Sequence, residues 1–232
     1  MTFDARATLF LVLAATFITC LVVGDIIGGK LIEATIAGYP FTVTVGMIPF
    51  PVTFLLTDLL NEFYGKRAAR LVTWIGLAMA LLSYAIIYVA AAIPIAPLTR
   101  ATDWAGVTEE AFLRIFVGSQ RMILASMTAY VIAQLTDISI FHVLKRMTGQ
   151  RFLWLRASGS TVISQLIDTV TITFVAWTGL LPVDKIVQII FSAYVLKVLI
   201  AVGLTPLIYA GHALIERLFG LQPVAVSPQD GG

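Results

Sequence analysis

The sequence predicts an all-α integral membrane protein, a six-transmembrane-helix bundle with a short hairpin or re-entrant segment between helices 1 and 2. Hydrophobic residues make up 59% of the 232 residues and charged residues only 12%, about half the charge of a typical soluble domain. Several apolar runs also reach the roughly 20 residues that a helix needs to cross a bilayer. We therefore expect residues 1–221 to form one transmembrane domain and residues 222–232 a disordered tail.

Six apolar segments have the length of a membrane-spanning helix. The first lacks a small-residue cleavage site, and we expect it to be retained rather than removed as a signal peptide. The last is the longest, and Pro206 gives a reason for a kink within it. The predicted spans are Ala7–Gly28, Met47–Tyr64, Leu71–Ile93, Ser119–Leu144, Ala157–Leu180 and Ile186–Ile215.

Two connections between spans carry local structure signals. Leu31–Val45 is rich in β-branched residues around a Gly-Tyr-Pro centre, which indicates the hairpin or re-entrant segment. Thr108 precedes two glutamates in the long loop 94–118. A threonine followed by acidic residues is typical of a helix start, so we expect a short surface helix there.

Lys and Arg residues fall unevenly on the two sides of the six-span topology. Four lie on one side: Lys30, Arg100, Arg114 and Lys185. Nine lie on the other: Arg6, Lys66, Arg67, Arg70, Lys145, Arg146, Arg151, Arg156 and Arg217. The positive-inside rule then places both termini in the cytoplasm.

The second and fourth predicted spans carry the same polar motif. Leu-Thr-Asp58 lies eight residues before Lys66, and Leu-Thr-Asp137 lies eight residues before Lys145. Both spans run in the same direction, so we expect the two carboxylates at similar depth, about 12 Å inside the cytoplasmic edge. Asn61 follows Asp58 on the same helix face.

Further polar residues continue this pattern. Gln134 and Asp137 are matched in the fifth span by Gln165 and Asp168, each pair sharing a helix face. Lys197 reaches a depth comparable to that of Asp168 from the opposite side. Carboxylates facing lipid are costly, so these groups are expected to face protein or a water-filled cavity.

Two interpretations of the buried charges remain open. Buried Asn, Gln and Thr side chains often join helices without contacting any ligand, and the charged residues could form a structural ion-pair network. The acids of the predicted spans nevertheless outnumber the one lysine there, which favours a polar site in the bundle. The acids are Asp58, Glu62, Asp137 and Asp168, and the lysine is Lys197.

We assign Lys145 and Arg156 to the cytoplasmic loops and therefore leave them out of this count. Asp25, near the outer end of the first span, is expected to reach water, and His142 alone is no metal site.

The sequence lacks the catalytic and nucleotide-binding motifs of soluble enzymes. It contains no Walker-type phosphate loop, no zinc-spaced His or Cys cluster and no nucleophile elbow, and Cys20 has no partner for an internal disulfide. We therefore expect neither an enzyme nor a cofactor or metal. The remaining class is a small secondary carrier, or the membrane-embedded part of a larger one.

Three stretches resemble a known family. They read FPVTFLLTDLLNEFYGKRAAR, SQRMILASMTAYVIAQLTDISIFHVLKR and FLWLRASGSTVISQLIDTVTITF, and contain the Asp-x-x-Asn-Glu-x-Tyr-Gly-Lys and Trp-Leu-Arg-x-x-x-Ser-Thr patterns. They are similar to the queuosine precursor transporter family, formerly called putative vitamin uptake transporters. The resemblance implies import of 7-cyano-7-deazaguanine across the bacterial inner membrane, with 7-aminomethyl-7-deazaguanine as a second candidate, for queuosine salvage into transfer RNA. The implied partners are this small molecule and the lipid bilayer, with no nucleic acid; a homodimer is a candidate assembly.

The implied substrate suits the polar residues. A guanine-like edge offers two donors to a carboxylate, its carbonyl accepts from an amide or ammonium, and its flat face stacks on an aromatic ring. We assign Asp137, Asp168, Gln134 and Gln165 to the base edge, and Asp58, Asn61 and Glu62 to a second wall. Lys197 is a further donor, Phe50 and Tyr194 are stacking candidates, and Asp58 and Glu62 are candidates for a coupling proton, because apolar burial penalises the charged carboxylate.

Rival functions make different demands. A substrate-binding membrane subunit of an energy-coupling-factor vitamin importer would need separate ATPase and coupling subunits. An intramembrane enzyme using paired carboxylates would alter its substrate chemically. A purely structural membrane protein would leave the surplus of buried acids unexplained.

Overall fold

A computed structural model describes residues 4–36, 38–100, 105–117, 120–148 and 152–224. Within these residues the regular secondary structure is helical, apart from one two-stranded sheet. The elements are α1 (Ala5–Ile27), β1 (Leu31–Ile36), β2 (Tyr39–Thr44), α2 (Phe50–Ala92), α3 (Glu109–Phe112), α4 (Gln120–Met147), α5 (Leu153–Trp177), α6 (Val183–Gly203) and α7 (Thr205–Phe219).

Five helical segments of the described chain are long and apolar enough to cross a membrane, where the sequence predicted six. The difference arises because the predicted second and third spans form one segment of 48 residues. At 1.5 Å per residue, a straight helix of that length would extend about 70 Å, more than twice the hydrocarbon core. The five segments are Ala5–Ile27, Val45–Ala92, Ala125–Met147, Leu153–Trp177 and Val183–Gly203.

The long helix α2 is interrupted at Gly65. This residue has φ 78° and ψ 177°, a region that is essentially restricted to glycine. Before the interruption, α2 runs antiparallel to α1. A side chain on Gly24 would lie 3.5 Å from Pro49 at one end, and Arg6 donates a hydrogen bond of 3.3 Å to the carbonyl of Phe63 at the other.

Beyond Gly65, α2 packs against α1 again while running in the same direction as α1. A Cβ added at Gly76 would lie 3.1 Å from Leu21 and 2.9 Å from the hydroxyl of Tyr130, so a larger residue would require these side chains to shift. Tyr130 also donates a hydrogen bond of 3.2 Å to the carbonyl of Thr73. The residues on the two sides of Gly65 therefore form two helical halves of opposite direction.

Strands β1 and β2 form the predicted hairpin between α1 and α2. They pair antiparallel from Leu31 opposite Thr44 to Ile36 opposite Tyr39, and Gly38 has φ 80° in the turn. Strand β2 also contacts α6. We call the end of the bundle that carries this hairpin the hairpin end, and the opposite end, which carries Arg6, Gly65 and Val224, the Gly65 end.

Two further local predictions are confirmed. Thr108 precedes α3, and its side chain accepts a hydrogen bond of 3.3 Å from the amide of Ala111. The predicted last span divides into α6 and α7 around Leu204, because Pro206 in the first turn of α7 has no amide to continue the helical hydrogen bonds.

The C-terminal segment Leu221–Val224 packs against the Gly65 end. The amide of Val224 donates a hydrogen bond of 2.9 Å to the carbonyl of Glu62, and Leu221 packs against the hydrophobic core that α1 and α2 form. Of these two residues, only Val224 lies within the predicted tail, residues 222–232, and its amide is bound to α2. Residues 225–232 of that tail lie outside the described residues.

Candidate functional site

A cavity of about 370 Å³ lies among α1, α2, α4, α5 and α6, within the size range of small-molecule sites. Its lining extends from Leu31 and Val43 at the hairpin end to Thr57 and Asp137 in the middle of the bundle. It includes six of the ten predicted site residues: Phe50, Gln134, Asp137, Gln165, Asp168 and Lys197.

Asp137 is the most buried carboxylate of this cavity, with 7% of the residue exposed. It accepts a hydrogen bond of 3.0 Å from the hydroxyl of Ser164 and a longer one of 3.5 Å from Thr161. Both donors lie on one face of α5, three residues apart. The hydroxyls hold the carboxylate in place, and it retains acceptor capacity toward the cavity.

Asp168 and Lys197 form an ion pair in the cavity wall. The Lys197 Nζ lies 2.7 Å from Asp168 Oδ2, and their side chains are 11% and 20% exposed. Lys197 also donates to the hydroxyl of Thr169 at 3.2 Å and lies 5.7 Å from the centre of the Phe50 ring. The prediction that Asp168 and Lys197 reach the same depth is confirmed.

The remaining cavity residues supply amides and an aromatic face. Gln134 donates a hydrogen bond of 3.3 Å to the hydroxyl of Thr57, and Gln165 lines the cavity from α5. Phe50 stacks on Phe54 with their ring centres 6.3 Å apart.

The structure separates Tyr194 from the cavity lining. Its hydroxyl instead donates a hydrogen bond of 3.1 Å to the carbonyl of Val162 on the neighbouring helix α5. This bond joins α6 to α5, so the structure does not bring Tyr194 together with the other candidate site residues.

Asp25 lines the cavity, although the sequence only suggested that it reaches water. Its carboxylate accepts a hydrogen bond of 2.9 Å from the hydroxyl of Ser126 on α4. The sequence did contain a signal for this residue, because an acidic residue within an apolar span usually faces a cavity.

Glu62 belongs to a buried ion cluster at the Gly65 end, not to the cavity. Its carboxylate lies 2.6 Å from Arg156 and 3.1 Å from Lys145, and all three side chains are at most 2% exposed. His212 of α7 lies 3.9 Å from the same carboxylate. We call Glu62, Lys145 and Arg156 the ion cluster.

The ion cluster corrects two expectations. Glu62 is not part of a second cavity wall, because it points to α4 and α5 one helical turn beyond the cavity. Lys145 and Arg156 are not solvent-facing loop charges, because α4 and α5 extend far enough to bury them. Part of the predicted surplus of acids is therefore neutralised within the bundle.

Asn61 also lies outside the cavity lining and joins two helices. Its side-chain amide donates to the carbonyl of Thr57 at 3.0 Å, and its oxygen lies 3.2 Å from His142 of α4. This contact and the Gln134–Thr57 bond fall on either side of position 58. They bear out the prediction that Asp58 lies at the depth of the matching motif on α4.

Asp58 differs from every other candidate. Only 1% of the residue is exposed, and neither carboxylate oxygen has a hydrogen-bond partner among the described residues. It does not appear in the cavity lining, although its neighbour Thr57 does. The structure does not bring Asp58, Asn61 and Glu62 into the cavity lining: these residues lie between the cavity and the Gly65 end.

The cavity combines acceptors, donors and an aromatic face. This set can hold a flat, polar small molecule through hydrogen bonds along one edge. Among the described residues, no group of three or more His, Cys, Asp or Glu side chains is placed to hold a metal ion.

Comparisons with known proteins agree with this description. A family model described as "Putative vitamin uptake transporter" matches residues 44–211. The chain is 31% identical to a "Probable queuosine precursor transporter" of Bacillus subtilis over 79% of this chain and 77% of that protein. It is 30% identical to the "Queuosine precursor transporter" of Escherichia coli over 74% and 73%. No solved structure matches it significantly.

Proposed function

The chain belongs to the putative vitamin uptake transporter family, and from this membership and its cavity we propose that it imports a queuosine precursor as a secondary carrier. The substrate we propose is 7-cyano-7-deazaguanine, with the 7-aminomethyl form as the second candidate. The observation that carries this proposal is the position of Asp137 in the cavity.

The cavity residues complement a guanine-like edge. Asp137, which retains acceptor capacity, would accept the ring N–H and the exocyclic amine together. The amides of Gln134 and Gln165 would donate to the ring carbonyl, and Phe50 would face the flat ring. Adenine would be rejected strongly, because its edge would leave these buried polar groups unpaired.

We propose six membrane crossings, with the two halves of α2 counted separately. Their opposite directions relative to α1 support this count. The Gly65 end then carries both described chain ends and most of the basic residues, so it would face the cytoplasm. The hairpin end would face the outside of a bacterial inner membrane, and α7 would lie at the cytoplasmic end.

The cavity reaches the hairpin end, while the ion cluster blocks the opposite end. This asymmetry supports the interpretation that the structure represents the outward-facing state of a carrier. Import would then require a second arrangement in which the Gly65 end opens. Such a carrier needs no ATPase subunit, in contrast to a subunit of an energy-coupling-factor importer.

Binding to the purified protein tests the substrate. We expect 7-cyano-7-deazaguanine to raise the melting temperature of the detergent-solubilised chain, while guanine gives a smaller shift and adenine none. Asp137→Asn should strongly reduce the selective shift and keep the fold. The absence of any shift in well-folded wild-type protein would contradict the proposed substrate.

Uptake into liposomes tests the carrier. The protein alone, reconstituted without other subunits, should accumulate the labelled base inside the vesicles in unmodified form. Transport that appears only after an ATPase is added would favour the energy-coupling-factor alternative. A chemically altered product inside the vesicles would indicate an enzyme.

A further inference from the structure

Asp58 is the one buried acid of the described helices whose carboxylate lacks a donor. Asp137 accepts from hydroxyl groups, Asp168 pairs with Lys197, and Glu62 pairs with two cations. Asp58 is more buried than Asp137 and Asp168, with 1% of the residue exposed, yet neither of its oxygens has a partner among the described residues.

An ionised carboxylate in this position would be unfavourable. Removing it from water costs free energy that only donors or a close cation can offset. The charged groups around it do not provide this compensation. Asp137 of α4 and Glu62 of α2 repel a negative charge at Asp58, and Arg156 of α5 attracts it but is already bound to Glu62 at 2.6 Å.

We propose that Asp58 is a proton-binding site, occupied in this arrangement, and that its proton is carried inward with the substrate. The inference rests on the proposed function for its transport step, whereas the protonated carboxyl rests on burial and missing partners alone. It also distinguishes the two sequence candidates for the coupling proton. Glu62 is paired with Lys145 and Arg156, whereas the Asp58 carboxyl has no such partner among the described residues.

The position of Asp58 links the proton to the opening of the Gly65 end. Thr57 on one side lines the cavity, and Glu62 lies one helical turn away on the other, on the same face. When the O–H bond of Asp58 breaks and the proton passes to cytoplasmic water, a second carboxylate faces the ion cluster. It then competes with Glu62 for Arg156 and Lys145, which weakens the contacts that close this end.

Neighbouring titratable groups define the alternatives. His142 of α4 contacts Asn61, and His212 of α7 lies 3.9 Å from Glu62. Either imidazole could take up a proton near the cluster, so a pH dependence alone would not identify Asp58. The test must therefore report on this carboxyl group itself.

Infrared spectroscopy on the complete protein gives that report without any substrate. A protonated carboxylic acid has a carbonyl-stretch band distinct from the bands of a carboxylate. Asp58→Asn should remove intensity from this band, whereas Asp184→Asn, an exposed acid at the start of α6, should leave it unchanged. Equal spectra of the wild type and Asp58→Asn would overturn the protonated assignment.

Liposome transport tests the coupling. With the wild type, an inward gradient of one pH unit should support up to about tenfold accumulation of a neutral substrate, if one proton accompanies each molecule. Asp58→Asn, which cannot release a proton to open the Gly65 end, should keep the substrate-induced rise in melting temperature and lose gradient-driven accumulation. Accumulation by Asp58→Asn at the wild-type level would overturn the coupling.

The two proposals fail in different ways. Wild-type protein that transports no deazaguanine at all contradicts the proposed function and leaves the infrared result standing. If Asp58→Asn does not fold, the proton count of the wild type decides: a pH dye inside the vesicles should record one proton entering per substrate. A count of zero would overturn the coupling.

Discussion

Two regions of the bundle use the same chemical groups for different purposes. In the cavity, the Asp168 carboxylate meets the Lys197 ammonium at 2.7 Å, with side chains 20% and 11% exposed. At the Gly65 end, the Glu62 carboxylate meets both Lys145 and Arg156, with all three side chains at most 2% exposed. Both pairs join helices, but only the first is accessible from the cavity.

The difference lies in how far each carboxylate is saturated. Each oxygen of Glu62 has its own cation, so little acceptor capacity remains for a ligand. Asp168 has one ammonium and Asp137 a pair of hydroxyls, so lone pairs remain available. The arrangement of partners, rather than the residue type, separates a group that holds the bundle together from a group that can bind a small molecule.

The largest expected effect follows from removing the shared carboxylate of the ion cluster. Glu62→Gln leaves Lys145 and Arg156 buried without their counter-ion, and breaking a buried pair in this way costs about 3–5 kcal/mol of folding free energy. We expect a much lower yield of folded protein and a large fall in melting temperature. A stable Glu62→Gln protein would show that the two regions do not differ as described.

Asp137→Asn should have the next largest effect, and on binding rather than on stability. A hydrogen bond to a charged group contributes about 1.5–3 kcal/mol, so affinity for 7-cyano-7-deazaguanine should fall roughly 10- to 100-fold. Titration calorimetry on the purified variant measures this change. Unchanged affinity in a normally folded variant would show that Asp137 does not bind the edge of the base.

Lys197→Gln should give a mixed result, because its ion pair is partly exposed. Loss of the ammonium leaves Asp168 with a weaker donor in the cavity wall, and we expect a roughly tenfold rise in the KM of uptake, about 1.4 kcal/mol. The fall in melting temperature should be clearly smaller than that of Glu62→Gln. A fall of equal size would indicate that the cavity pair, too, mainly stabilises the bundle.

Ser164→Ala tests the hydrogen bond that holds the Asp137 carboxylate in place. The variant removes the hydroxyl that donates to this carboxylate at 3.0 Å, and a single hydrogen bond contributes about 1 kcal/mol. We expect an affinity loss of about fivefold. Ser164→Thr retains a hydroxyl and serves as the matched variant, with a smaller loss in the same calorimetric titration.

Glu110→Gln should have the smallest effect and sets the baseline for the series. Glu110 pairs with Arg114 at 2.6 Å, but their side chains are 75% and 77% exposed. Exposed pairs of this kind contribute little to stability, so neither melting temperature nor uptake should change measurably. A clear loss of uptake would instead assign the pair a role at the mouth of the cavity, which Arg114 lines.

Local sequence signals predicted the features that depend on one segment. Thr108 at a helix start, the hairpin and the kink near Pro206 all follow from residues close together in the chain. The shared depth of the two Leu-Thr-Asp motifs follows from helical rise. The return of α2 at Gly65 was predicted as two spans, although its backbone continues as one interrupted helix.

Pairing between helices could not be predicted from the sequence. Glu62 was predicted to line the cavity because its two cations, Lys145 and Arg156, lie far along the chain. The sequence predicted loop positions for both of them, so they were not considered as its partners. Tyr194 looked like a stacking residue, but its hydroxyl is bound to a carbonyl of the next helix. In each case the partner is set by packing between helices, which a single sequence does not encode locally.

The bond from Val224 to Glu62 has a consequence for the order of biosynthesis. The ribosome makes Glu62 early, yet its carbonyl receives the amide of Val224, which emerges after every helix of the bundle. The interruption at Gly65 therefore acquires its last backbone partner only when translation has passed α7. Chains released before Leu221 would carry the complete cavity and the complete ion cluster, but would lack this bond at the turning point of α2.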